Sequence, residues 1–184
     1  MKLAMHHSLA LAILVSGISF NALAGSSPGE VDFGKLAAPG KGGEFVEVQV
    51  SSNLLSLAAQ FLDKQQPDIA RLIRSVQLIH VNVVGISDEN RDELNKRVGQ
   101  IRTELAAKGW ERNVNVKQQS GEDVSVYTKT HGGQALAGLA IIVVEPQQVV
   151  LVNIVGDIHP DQVAALGESL NIKPLKEVGE ALKK

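Results

Sequence analysis

Cysteine is absent from all 184 residues. That excludes a disulfide framework, a thiolate nucleophile and any cysteine-ligated zinc or iron–sulfur centre. Aromatic side chains are scarce, with one tryptophan, one tyrosine and four phenylalanines. Sugar and single-stranded nucleic-acid surfaces are commonly built by stacking on such rings, so there is little to build either. Basic residues do not exceed acidic ones: 18 stand against 20, a formal net charge of −2. A general nucleic-acid binder carries a basic face, and this balance speaks against one. The G-x-S-x-G elbow, the H-E-x-x-H pair and the phosphate-binding loop are missing as well. No apolar run reaches the roughly 20 residues that a membrane-spanning helix needs.

What is there begins with an address. Lys2 supplies a positive charge, residues 9–15 form an apolar run, and Ala22-Leu23-Ala24 has the small–x–small pattern of a cleavage site. This layout reads as a secretory signal peptide over residues 1–24, with cleavage after Ala24 and a periplasmic destination. No cysteine follows the run, which excludes a lipid anchor. Removing residues 1–24 takes away Lys2, His6 and His7 but no acid, so the net charge becomes −3 and His80, His131 and His159 remain.

Residues 25–43 are rich in glycine, proline and serine and are expected to form a flexible leader. The exception is Val31-Asp32-Phe33-Gly34-Lys35-Leu36, whose apolar residues could dock on the domain. From Glu44 the pattern becomes regular. Residues 44–50 alternate as a strand does. Ser51-Ser52 can cap a helix with a stripe of Leu54, Leu55, Ala58, Phe61 and Leu62, and Pro67 opens a second helix through Ile69, Leu72 and Ile73. A strand follows over 76–85, with Ile79, Val81 and Val83 on one face and His80 and Asn82 on the other. Ser87 then caps a long helix in which Leu94, Val98, Ile101 and Leu105 bury one stripe, and Gly109 stops it. After Gly109 the period becomes two, giving strands over 110–117 and 123–129. Residues 135–145 and 149–156 are nearly continuous apolar runs, as expected of mid-sheet strands covered on both faces.

This order predicts an α+β fold: a two-layer sandwich with a mixed, mostly antiparallel sheet of about six strands and helices on one face. The single domain is expected over residues 44–170, with a partly helical tail over 171–184.

Several stretches resemble a bacterial family known as domain of unknown function 4252. They are Gly43-Glu44-Phe45-Val46-Glu47-Val48 leading to Leu54-Leu55; Val81-Asn82-Val83-Val84-Gly85; Gly109-Trp110; Val124-Ser125-Val126-Tyr127-Thr128-Lys129; and Asn153-Ile154-Val155-Gly156-Asp157-Ile158-His159-Pro160. The resemblance spans about residues 30–175. It implies an exported envelope protein without an assigned activity and supplies no catalytic residues. Some members stand beside sigma-factor and anti-sigma-factor genes, which implies an envelope signalling component as one kind of partner.

Asp157-x-His159-x-Asp161 is the one cluster of metal-ligand types, carboxylate and imidazole together. The plainer reading is a helix start before Pro160, where capping groups and acids are expected. Ser125 near His131 or His80 could in principle form a nucleophile pair. A sheet face left open by a two-layer fold is the stronger candidate. It would carry His80, Asn82, Asn113, Asn115, Lys117, Ser125, Tyr127 and Lys129, with Asn153 from an otherwise apolar strand. The expectation is a non-catalytic periplasmic protein without cofactor. It would contact an envelope protein or peptide, or a second copy of itself, through this polar face or a free edge strand. The rival is a small periplasmic hydrolase or metal-binding protein using Asp157 and His159.

Overall fold

The computed structural model describes residues 27–41, 43–132, 135–159 and 162. Among the described residues nine elements follow one another: β1 (Phe45–Ser51), α1 (Ser52–Leu62), α2 (Pro67–Ser75), β2 (Val76–Gly85), α3 (Arg91–Ala107), β3 (Glu111–Lys117), β4 (Asp123–His131), β5 (Ala135–Val144) and β6 (Gln148–Ile158). The strands form one six-stranded sheet in the order β1-β2-β6-β5-β4-β3, and every neighbouring pair is antiparallel. The α+β class and the strand count agree with the sequence pattern. The continuous apolar runs β5 and β6 indeed lie mid-sheet, as their lack of alternation requires.

The helices divide between the two faces, which differs from the expected single helical layer. Leu55 of α1 and Leu72 of α2 pack with Val126, Leu139, Ile141, Val152 and Ile154. On the opposite face, Leu94, Val98, Ile101 and Leu105 of α3 pack with Tyr127, Ala140, Ile142 and Leu151. Connectivity explains this. β2 and β3 stand four strand spacings apart, roughly 19 Å, and α3, at 17 residues, covers about 25 Å. It bridges that distance across the face that α1 and α2 leave free. Each of its four buried side chains contributes about 1.5–3 kcal/mol. Gly109 ends the turn after α3 with φ +73°, the left-handed conformation expected of it.

Two helix details differ from the sequence pattern. On α1 the buried line is Leu55 and Ala59, while Leu54, Leu57, Ala58 and Phe61 face outward. α3 starts at Arg91, so its acidic first turn is Asp92-Glu93. Ser87 does not cap it directly; the Asn90 side chain turns inward, accepting from the Ser87 N–H at 2.8 Å and donating to Gly85 O at 2.9 Å and Ala37 O at 3.2 Å. The α1–α2 corner is tied by the exposed pair Asp63–Arg74. Its hydrogen bond and the neighbouring guanidinium charge hold the Asp63 carboxyl below its ordinary value of 3.8.

The leader is a strap rather than a loose tail. Residues 27–41 run along the sheet beside α3, with Gly29, Val31 and Phe33 buried. Asn153, fully buried in β6, accepts from the Val31 N–H at 3.0 Å and donates to Gly29 O at 3.0 Å and Leu139 O at 3.2 Å. Arg97 of α3 holds the other side, donating to Phe33 O at 2.8 Å and Asp32 O at 3.1 Å. The glycine that reads as a loop signal has a packing reason here. A Cβ on Gly29 would stand 1.7 Å from Ala137 O, and one on Gly138 would stand 2.4 Å from Gly29 O. The docking expected of Val31 to Leu36 therefore holds. The signal segment 1–24 and the tail 171–184 lie outside the described residues.

Candidate functional site

Strap and sheet enclose a cleft of about 420 Å³ at the β1–β2 end, lined on the strap side by residues 30–36. The sheet contributes Phe45, Glu47 and Gln49 from β1 and Leu78, His80 and Asn82 from β2. Register brings these together: Glu47 stands opposite Asn82, and Gln49 opposite His80. His80 Nε2 lies 2.9 Å from Glu47 Oε1 and 3.0 Å from Asn82 Nδ2. The Phe33 ring leans on the imidazole with centroids 5.4 Å apart and planes at 42°. With Nε2 carrying the proton the imidazole donates to Glu47; with Nε2 bare it accepts from the Asn82 amide.

The cleft holds three carboxylates, from Glu30, Asp32 and Glu47, against the one ammonium of Lys35. Such a lining favours a cationic or amide-bearing side chain over an anion. None of its residues offers a hydroxyl or a thiol, so the His80–Glu47 pair has no nucleophile to activate there.

The polar set anticipated on one open face is split by the structure. Only His80 and Asn82 reach the cleft. α3 covers Ser125 and Tyr127, and both are buried. Ser125 Oγ lies 3.5 Å from Asn115 Oδ1, so it pairs with neither His80 nor His131. Lys129 Nζ donates to the carbonyls of Lys108 and Gly109, at 2.6 and 3.3 Å, where the helix dipole favours a cation. Lys117 stands 3.6 Å from Asp123, which Arg102 of α3 also holds through two hydrogen bonds of 2.9 and 3.0 Å. Asn113 sits at a bulge in β3 and accepts from Thr128 Oγ1 at 2.7 Å. Asn153 does point to this face, where it binds the strap. The open-face expectation is thus corrected, because α3 and the strap occupy the surface that it left open for a partner.

Asp157 and His159 both extend outward near the end of β6, with Ile158 buried between them. Asp157 borders a shallow cavity of about 300 Å³ shared with Ser27, Gln77 and His131. The His159 N–H donates to Gln162 Oε1 at 3.0 Å and its carbonyl accepts from the Gln162 N–H at 2.9 Å. This reciprocal bonding is that of a helix start. Asp161 lies outside the described residues. Among the described residues no three histidine, aspartate or glutamate side chains group to hold a metal. No described helix is long and apolar enough to cross a membrane.

Sequence reasoning passed over Glu47 and Asn90, and it read Phe33 only as part of a segment that could dock, not as part of a site. Glu47 sits on the same alternating face as Gln49, but its meeting with His80 depends on register, which the sequence leaves open. Phe33 had a signal, its i, i+2 spacing from Val31 in a glycine-rich stretch.

Comparison with curated proteins gives no match, and comparison with solved structures gives none. A family model matches residues 41–166, which takes in every strand and helix described above but not strap residues 27–40. The chain belongs to the family described as domain of unknown function (DUF4252).

Proposed function

We propose that this chain is an exported, non-catalytic contact protein that accepts an extended strand of an envelope partner along the outer edge of β1. One observation carries this reading: the two edges of the sheet are built differently. β3 has a bulge between Arg112 and Val114 and carries Glu111, Arg112 and Lys117. Bulges and charges of this kind blunt an edge against pairing. β1 pairs with β2 without a register break, contains neither proline nor lysine, and has Glu47 as its only charge. A regular, weakly charged edge is the template that strand addition uses, with main-chain hydrogen bonds giving affinity and neighbouring pockets giving specificity.

The cleft supplies the pocket. Alternate side chains of an added strand fall on the face of Phe45, Glu47 and Gln49, beside His80 and the strap. Glu47 selects there for an amide or cationic group. The test is recovery of partners from an envelope extract by the wild-type chain, Val48→Lys on β1 and Val116→Lys on β3. Loss of a recovered protein in Val48→Lys alone is expected, with slower hydrogen exchange at the Glu47 and Gln49 amides when that protein is bound. Identical recovery by all three chains would sink the proposal.

A further inference from the structure

We infer that the strand added to β1 is β1 of a second copy of this chain, around a two-fold axis at Val48. The inference rests on the reading that the β1 edge accepts a strand, and names its occupant.

Backbone direction sets which registers exist. The Gly85 N–H donates to Glu44 O at 2.7 Å, so residue 44 aims its polar groups at β2. Alternation then directs Val46, Val48 and Val50 inward to β2, and leaves the N–H and C=O groups of Phe45, Glu47, Gln49 and Ser51 facing outward. Two copies of β1 running antiparallel must match these outward residues. An axis normal to the sheet at Val48 pairs Glu47 with Gln49 and Phe45 with Ser51, using all seven residues of the strand. Each carboxylate then meets an amide that can donate to it. Moving the axis to Glu47 would set the two carboxylates against each other, and moving it to Gln49 would shorten the overlap. Charge and length together select Val48.

Apolar exposure concentrates at the same edge. Of the six large apolar side chains exposed among the described residues, Phe45, Val48, Leu54, Leu57 and Phe61 belong to β1 and α1, and only Val116 lies elsewhere. An axis normal to the sheet places both α1 helices on one side of the joined sheet, flanking it. The Val46, Val48 and Val50 rows of the two copies become continuous beneath them, with Val48 facing its own mate. Pairing thus covers Val48 and brings the exposed Leu54, Leu57 and Phe61 of both copies to the same side of the joined sheet, while Phe45, on the opposite face, meets Ser51 of the mate.

The absence of cysteine makes the test clean. In this register Val48 forms a non-hydrogen-bonded pair with itself, at a Cα separation of about 4.5 Å, within the roughly 4.4–6.8 Å that a disulfide spans. Two Val46 residues stand four positions apart, about 13 Å, and cannot be bridged. Under oxidising conditions Val48→Cys is expected to form a covalent dimer and Val46→Cys to stay single. Light scattering of the wild-type chain should give twice the monomer mass at micromolar concentration. Gln49→Glu should weaken that association about three- to tenfold, and Gln49→Lys should strengthen it by a similar factor, through the two symmetric pairs with Glu47. A wild-type monomer throughout, or faster cross-linking of Val46→Cys, would overturn the inference. A monomer whose Glu47 and Gln49 amides are already protected from exchange would also overturn it, assigning the edge to another segment of the same chain. If the chain is monomeric and Val48→Lys still loses a partner from the envelope extract, only the second copy is refuted and the edge reading stands.

Discussion

The two faces of the sheet are closed by different means. The α3 face is sealed by one long helix and the strap, and directional polar contacts hold its seams: Asn153 and Arg97 on the strap, Asn90 at its far end, and Arg102 on Asp123. The α1–α2 face is covered by a short helical pair over part of its width, and Val50, Val81, Val114, Val143 and Val150 remain half-buried there. A strap cannot be held by apolar contact alone, because its backbone N–H and C=O groups lose water as it packs. Buried side-chain amides therefore appear on the face that takes an extended segment. The face covered by α1 and α2, whose backbone is satisfied internally, shows none among the described residues.

Two phenylalanines set the scale of this difference. Phe33 is 2% exposed on the strap, and Phe61 is 80% exposed on α1. Phe33→Ala should cost about 3–5 kcal/mol, as a truncated core aromatic does. It also removes the ring against His80, so the strap end of the cleft opens. Phe61→Ala should stay within about 0.5 kcal/mol. Urea denaturation of both variants in dilute solution checks the pair. Equal losses would mean that the α1 face is covered by something beyond the described residues, and the contrast between the faces would fall.

A smaller effect tests the polar seam itself. Asn153→Leu keeps the side-chain size roughly constant but leaves the Val31 N–H and Gly29 O without partners in a buried place. Each unsatisfied group costs about 1–3 kcal/mol, and burial of the new leucine offsets part of this, so a net loss of about 2–3 kcal/mol is expected. Hydrogen exchange should show the Val31 amide losing protection before any amide of β5 or β6. Loss of protection everywhere at once would make the strap part of the global core instead of a separately latched layer.

The sequence made some of this plain and concealed the rest for physical reasons. Strand boundaries were legible because alternation in β1, β2, β3 and β4 is a property of each segment alone, as was the α3 stripe of Leu94, Val98, Ile101 and Leu105. Which face each helix covers is a property of connectivity, and it became fixed only when β2 and β3 proved to lie far apart in the sheet. His80 and Asn82 were assigned correctly to one face by the period of two. Their site was not visible, since Glu47 joins them through the β1–β2 register and Phe33 through a strap whose glycines read as disorder. Asn153 was the informative anomaly: an amide in an apolar central strand marked the place where another backbone docks.

The smallest expected effect concerns the helical pair. The Arg74 hydrogen bond, with the guanidinium charge, holds the Asp63 carboxyl below 3.8. A carboxyl whose folded value lies below its unfolded one stabilises the fold fully above the unfolded value. The contribution disappears as pH falls through the lowered folded value. Asp63→Asn should therefore be slightly less stable than the parent near neutrality, and the gap should close below pH 3.8, where the parent's own carboxyl takes up its proton. Both groups are well exposed, so water and salt screen the pair and the gap should shrink further at high ionic strength. Denaturation midpoints of the two chains across the acid range decide it. A gap that persists unchanged into acid would assign the loss to the altered turn after α1 instead of the ion pair. The α1–α2 face would then be held by backbone geometry, with no electrostatic seam to set beside those of the opposite face.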